Sequence, residues 1–469
     1  MWSPKKADWY YGLSRWGMGY FCIHNEHLAV IPTLNDKQVI DVYSLLNEVI
    51  SKYNLRTPIL FRFPQIITTQ VRRLFEAFDH IHEKMGYTGL YKLAYPMKVN
   101  QRKHVLDAIL TPELTAKGRV GLETGTKAEL AIALSRNPPF IVCNGFMDRH
   151  YTRMALLGSA IRDQIYLIIN HLADTRTIIE EWESLTATLN SKGIKFNPQL
   201  KLGIRLRLHP TGGGKWIKSG GEAARFGLKT YEIIDAVEML EKAKLLSKIE
   251  VLHFHLGSQI PGLEGIVNTI KEGMIVARDL KSIGLPIRII DLGGGLPVDY
   301  DATRSSSEYS ASYDYGDYAN AVVSTLVEMC NKFDISHMDI LSESGRFVTA
   351  HHAFLVTNIR SVMRAVYGDI PSRNVIPPSL PPPIHKKVTM LFDLFETLQK
   401  MKPMDSYLDI YQEAHRLRES LIRDFREGKI TFRLMATIDR LFFYMIKEVM
   451  DLAMRDYERI DLSFKHIVS

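Results

Sequence analysis

The chain has 469 residues, 46% of them hydrophobic and 24% charged, the balance of a globular protein of roughly two to four domains. Its net charge of +7 is spread thinly over 59 basic and 52 acidic residues, which excludes the concentrated basic stripe of a nucleic-acid binder. No apolar run approaches the ~18 residues that span a bilayer, Met1-Trp2-Ser3-Pro4-Lys5-Lys6 leads into no secretory core, and Cys22, Cys143 and Cys330 form neither a disulfide framework nor a metal spacing, so the protein reads as soluble and cytoplasmic.

Tyr20–Ile23 and Leu28–Ile31 predict two short strands of a partial amino-terminal β-domain over 1–57. Val39, Val42, Leu45, Leu46 and Val49 share one helical face and set a helix over 36–51. No later segment reads as a partner for these strands, so both are expected to keep unpaired edges.

From 58 to 365 the chain is rhythmic. Apolar runs near 91–95, 119–122, 140–143, 165–169, 202–208, 250–256, 287–292 and 338–341 read as strands. Helical patterns lie between most of them, such as Ile233, Val237, Leu240 and Leu245. Eight strands alternating with helices predict a (β/α)8 barrel, with an open doubly wound sheet as the alternative. Ile376–Pro383 contains five prolines and predicts an extended, semi-rigid linker over 366–385. Residues 386–469 read as a helical bundle, with Leu391, Leu394, Leu398 and Met401 on one apolar face and Phe442, Ile446 and Met450 on another. The fold class is α/β: a barrel flanked by a partial amino-terminal β-domain and a carboxy-terminal helical bundle.

Chemistry gathers at the carboxyl ends of the barrel strands, the edge where parallel α/β folds build their sites. Lys98 follows the apolar run Tyr91–Tyr95, and a lysine held among apolar neighbours can lose its charge and act as a nucleophilic amine. Glu123 and Asn144 stand after the second and third runs. The sixth ends in His253-Phe254-His255-Leu256-Gly257-Ser258, where either Phe254 or His255 faces the barrel mouth. The seventh leads into Asp291-Leu292-Gly293-Gly294-Gly295, whose backbone N–H groups form either a phosphate cradle or a plain tight turn. Leu296-Pro297-Val298 after it does not match a dinucleotide fingerprint. The eighth ends in Glu343 and Arg346, an acid able to hold a ring nitrogen protonated and a guanidinium able to grip phosphate. An amine, a phosphate cradle, an acid and an imidazole in one site are the equipment for pyridoxal phosphate.

In the segments Tyr95–Gln101, Gly121–Leu130, Gly214–Trp216 with Ser219–Glu222, Leu252–Ile260, Asp291–Asp301 and Ser342–His352, the chain resembles the biosynthetic arginine decarboxylases, barrel-type pyridoxal phosphate enzymes. The resemblance implies that Lys98 bonds the cofactor, His255 stacks on its ring, and Glu343 pairs with the ring nitrogen. It further implies that Ser258, Gly293, Gly294, Gly295 and Arg346 hold the phosphate, with Glu123 near the cofactor–lysine bond and Arg205 beneath the cofactor. Asp291, the three glycines, Asp299 and Tyr300 belong to the stretch associated with substrate, which would be L-arginine, converted to agmatine for polyamine synthesis. A homodimer or higher homo-oligomer and Mg2+ are implied as well. Thr124, Thr126 and Pro297 depart mildly from the family pattern. Family members continue beyond the position of Ser469 with a cysteine, an aspartate and a tyrosine for the reaction. The expectation is therefore a chain that binds the cofactor weakly and decarboxylates arginine poorly or not at all. A non-catalytic partner of a longer homologue and a related amino-acid decarboxylase are the alternatives.

Overall fold

The computed structural model describes residues 3–162, 164–194, 196, 198–209, 226–305, 307–362, 368–402 and 405–468, without the side chains of 200 and 457–468. The segments Gly214–Trp216 and Ser219–Glu222 lie outside the described residues. The chain divides into two compact units, Met1–Asn358 and Ile359–Ser469.

The first unit opens with helix Pro4–Tyr11, capped by the Ser3 side chain. Strands β1 (Phe21–His24) and β2 (His27–Val30) then form an antiparallel hairpin. Its two-residue turn, Asn25-Glu26, has φ of 48° and 65°, the twist that suits a tight hairpin. The expected helix over 36–51 starts later, at Val42, because Ile40-Asp41 pairs with β2 as β3 and Asp41 caps the helix Val42–Tyr53 through the Ser44 N–H. The expectation of unpaired edges is corrected for one of the two strands: β2 is paired on both sides, whereas β1 is an edge of this sheet among the described residues.

A second small sheet joins β4 (Ile59–Arg62) to a strand far along the chain, Ala353–Val356. Phe354 of that strand stacks on Phe61 and Phe63, with centroids 5.4 and 5.7 Å away. Aromatic stacking across the pair holds together two short strands that would be marginal alone.

Between them lies a closed parallel barrel of β5 (Tyr91–Pro96), β6 (Val120–Thr124), β7 (Ile141–Cys143), β8 (Ile165–Ile169), β9 (Leu200–Leu206), β10 (Ile249–Phe254), β11 (Ile289–Asp291) and β12 (Asp339–Ser342). All eight runs predicted from the sequence are barrel strands, and the open-sheet alternative is set aside. The strand Ala353–Val356 is β13. Register decides which side chains enter the barrel. Pro96 pairs with Glu123, Glu123 with Val142, Arg205 with His253, and His253 with Asp291. Ala94, Val142, Tyr166, Ile168, Val251, Ile289 and Leu341 fill the interior below them, the layered packing of such barrels. The polar residues therefore form the layer at the carboxyl end.

Outward-facing strand residues pack against the surrounding helices. Phe78, on helix Pro64–Met85, lies parallel to the Tyr91 ring with centroids 3.7 Å apart, and both residues are fully buried. Phe78→Ala is expected to destabilise the first unit by about 3–5 kcal/mol through lost burial and a residual cavity, read as a lower urea midpoint at unchanged slope. A midpoint within error of the unchanged protein would contradict this packing.

Among its described residues the second unit has three α-helices, Pro382–Lys400, Tyr407–Arg426 and Phe432–Val468. Leu391, Phe395, Leu421, Ile438, Leu441 and Met445 lie in its core. Two expectations change here. The proline-rich stretch is not extended throughout: Arg373–Val375 is a 3-10 turn, and Pro382 and Pro383 start a helix, where a missing N–H has no helical partner to lose. Met450 is 60% exposed, because the buried stripe runs through Phe442, Met445, Val449 and Leu452 instead.

Candidate active site at the barrel mouth

Seven of the residues singled out from the sequence line one cavity of about 140 Å³: Lys98, His255, Ser258, Gly294, Gly295, Glu343 and Arg346. They come from the carboxyl ends of β5, β10, β11 and β12. Glu123, Asp291 and Gly293 stand just outside that lining. The Glu123 carboxylate lies 3.6 Å from Lys98 Nζ. Asp291, fully buried, accepts the Gly293 N–H at 2.9 Å.

Strand parity settles the choice between Phe254 and His255. Phe254 faces the helix layer, so close to Gly273 that a Cβ there would lie 2.3 Å from the ring. His253 and His255 therefore both face the mouth. Gly293 has φ of 64°, and a Cβ on it would fall 2.6 Å from His255 Nδ1. Gly295 has φ of 120°, with Ile260 Cδ1 2.5 Å from a Cβ position. Both the backbone conformation and the space demand glycine. The Gly294 N–H donates to His255 Nδ1 at 3.1 Å. Burial and the Arg205 charge push the His255 pKa down to about 3, so the imidazole is neutral.

The Arg346 guanidinium donates to Ser258 Oγ at 3.1 Å and sits over the Tyr300 ring, 5.9 Å from its centroid. Two donors and the glycine loop at one end of a cavity form a site for a phosphate. Asp299 lies elsewhere: it accepts from Ser310 Oγ at 2.7 Å and lines a neighbouring cavity of about 310 Å³ with Arg73 and Tyr315. Leu296 borders both cavities.

Electrostatics divides the three buried acids. Glu123 is pushed up to about 8 by burial and the Glu343 charge, and neither of its oxygens has a hydrogen-bond partner. Asp291 is raised by the same two causes. Glu343 goes the other way, to about 2: burial opposes ionisation, but His253 and the Lys98 charge outweigh it. Glu343 thus ionises most readily of the three, while burial holds Glu123 and Asp291 back. Lys98 corrects an expectation. Burial alone would lower its pKa, but Glu123 and Glu343 raise it above the ordinary value, and its side chain is 63% exposed. The amine is an ammonium that passes its proton only to an ionised neighbour, and the Glu123 carboxyl is beside it.

Asn170 was not singled out in the sequence, and Asn144 and His253 carried no assigned role there, although all three line the same layer. Arg205 donates to Asn170 Oδ1 at 3.0 Å, Asn170 Nδ2 to Asn144 Oδ1 at 3.1 Å, and Asn144 Nδ2 to Glu343 Oε1 at 3.3 Å. The available signal was period two along the sixth strand, which places His253 beside His255. The asparagines belong to no motif. His253, Asp291 and Glu343 also place one ligand atom each within 4.8 Å of one another.

The site fits pyridoxal phosphate on its own geometry. A lysine amine stands at one end, a phosphate cradle at the other, and an ionised, buried carboxylate between them matches a protonated ring nitrogen.

The comparisons agree with that geometry. Residues 69–350 match the family described as "Pyridoxal-dependent decarboxylase, pyridoxal binding domain", and 385–461 match "Arginine decarboxylase helical bundle domain". The chain is 39% identical over 386 residues to the biosynthetic arginine decarboxylase of Aeromonas salmonicida, covering 81% of this chain and 59% of that protein. To that of Bacteroides thetaiotaomicron it is 31% identical over 456 residues, covering 96% and 69%. The crystal structure of the biosynthetic arginine decarboxylase SpeA from Campylobacter jejuni superposes with a TM-score of 0.65 at 27% identity, covering 94% of this chain and 68% of that one. The chain thus spans about three-fifths of the first of these curated relatives. A closed parallel barrel with a lysine, a glycine cradle and a buried carboxylate at its mouth, and a family match over most of its length, place this chain among the pyridoxal-dependent decarboxylases.

Proposed function

We propose that this chain acts in the pyridoxal phosphate-dependent decarboxylation of L-arginine to agmatine and carbon dioxide, a supply step for polyamine synthesis. One observation carries the reading: the cavity in which Lys98, the glycine loop, Arg346 and Glu343 converge, in a chain whose relatives are named biosynthetic arginine decarboxylases. Bound pyridoxal phosphate supplies the electron sink that lets an α-carboxylate leave as carbon dioxide.

The residues of the chain do the rest. Lys98 would hold the cofactor through its side-chain amine. Glu123, an acid of pKa about 8 at 3.6 Å from that amine, exchanges its proton with it. Ser258, Gly295 and Arg346 would hold the phosphate, and the neutral His255 imidazole would face the ring. Glu343 holds the ring nitrogen protonated. Gly293 and Gly294 shape the loop; their N–H groups are engaged by Asp291 and His255. Tyr300 lies beneath the Arg346 guanidinium, on the side assigned to substrate, while Asp299 lines the neighbouring cavity and Asp291 is fully buried.

Magnesium takes no part in this reading. Among the described residues the grouping able to hold an ion is His253, Asp291 and Glu343, which is buried and includes a histidine, whereas Mg2+ favours oxygen ligands and retained waters. Among the described residues no helix is long and apolar enough to cross a membrane. Cys22, Cys143 and Cys330 are free thiols, which supports a reducing cytoplasm. The family resemblance extends the proposal to a homodimer, checked by sedimentation.

The purified chain, supplied with pyridoxal phosphate, is expected to release agmatine from L-arginine faster than it releases diamines from L-ornithine or L-lysine. Equal or faster turnover of ornithine or lysine contradicts the substrate assignment. Cofactor bound through Lys98 with no release of carbon dioxide contradicts the activity and favours a regulatory partner.

A further inference from the structure

Four polar side chains cross the barrel mouth in a fixed order, although their strands are far apart in the sequence. Their hydrogen-bond directions can be read from chemistry alone. A guanidinium only donates, so the Asn170 atom 3.0 Å from Arg205 Nη1 is the amide oxygen. The other Asn170 amide atom lies 3.0 Å from the Ile168 carbonyl, which only accepts, and this sets the same orientation independently. Asn170 Nδ2 must then donate to Asn144 Oδ1 at 3.1 Å. That leaves Asn144 Nδ2 as a donor, 3.3 Å from Glu343 Oε1 and 3.2 Å from His253 Nε2.

We propose that Arg205, Asn170 and Asn144 form an oriented amide relay whose end aims a donor at Glu343 Oε1, keeping that carboxylate ionised and turning its other oxygen toward the cofactor's ring nitrogen. Asn144 and Asn170 are positioning residues, since they act through Glu343. The relay has a physical purpose. Glu343 shares its surroundings with two other buried acids, Glu123 and Asp291, and a lone carboxylate there would take up a proton instead of giving its charge to the ring. A flipped Asn144 would present an oxygen to that carboxylate. By fixing the Asn170 amide, the Arg205 guanidinium holds the Asn144 orientation from two strands away along the barrel.

The inference rests on the pyridoxal phosphate reading, and its test separates the two. Binding of pyridoxal phosphate is compared with binding of its deaza analogue, in which the ring nitrogen is a CH group. The unchanged chain is expected to prefer the natural cofactor by about tenfold or more, the effect of one charge-assisted hydrogen bond. In Asn144→Leu and in Asn170→Asp, which keeps the Arg205 partner but cannot donate to Asn144, that preference should fall toward one while affinity for the deaza analogue stays unchanged. A preference retained in both variants overturns the relay. So does a parallel loss of both affinities, the mark of a merely structural role. If the unchanged chain binds neither compound, the cofactor reading fails, and the relay fails with it.

Discussion

Lys98→Ala is expected to abolish the visible absorbance band that pyridoxal phosphate gives on bonding a lysine, and to lower carbon dioxide release by about a thousandfold or more. The amine is the part of the site with no substitute. Lys103, the next lysine along the chain, is 82% exposed and paired with Asp107, outside the cavity lining. The phosphate cradle of Ser258, Gly295 and Arg346 is untouched by the substitution, so the variant should still take up the cofactor, weakly and without the band. Lys103→Ala serves as the control and should keep the band. Persistence of the band in Lys98→Ala, or its loss in Lys103→Ala, would reassign the bonding lysine.

Glu343→Gln should produce the second large effect. The substitution keeps size and hydrogen-bonding reach, so Asn144 and His253 retain a partner, but it removes the charge that faces the ring nitrogen. Loss of a charge-assisted hydrogen bond is worth about 1.5–3 kcal/mol, roughly tenfold to a hundredfold in cofactor affinity. Turnover should fall further than affinity, because a ring nitrogen that is not protonated is a poorer electron sink. The variant should also lower the Lys98 pKa, since Glu343 is one of the two carboxyl groups that raise it. The rate of band formation against pH reads this directly. An unchanged cofactor affinity would remove Glu343 from the ring.

Much of this molecule was legible before folding. Parallel strands covered on both faces appear as continuous apolar runs, so all eight barrel strands could be placed from Tyr91 to Leu341. The site was legible in part for a related reason. Lys98, His255, the glycine loop, Glu343 and Arg346 each sit a few residues past a run, at the edge where barrels carry chemistry. The short strands were less readable. Ile40-Asp41 is too brief to show a period, and β4 finds its partner almost 300 positions along the chain, at Ala353–Val356.

Composition and periodicity determined the class of fold, the order of its strands and the set of residues gathered at one end of the barrel, because those depend on local burial and strand polarity. Closure of the barrel decided the rest. It set the parity that turns Phe254 outward and His253 inward, and it brought Arg205, Asn170, Asn144 and Glu343 into one line of hydrogen bonds. It also placed two acids beside Lys98, which keeps the amine charged where the sequence predicted a neutral one. The physical reason is distance: charge and hydrogen bonding act between neighbours in space, and strands separated by dozens of residues become neighbours only when the sheet closes.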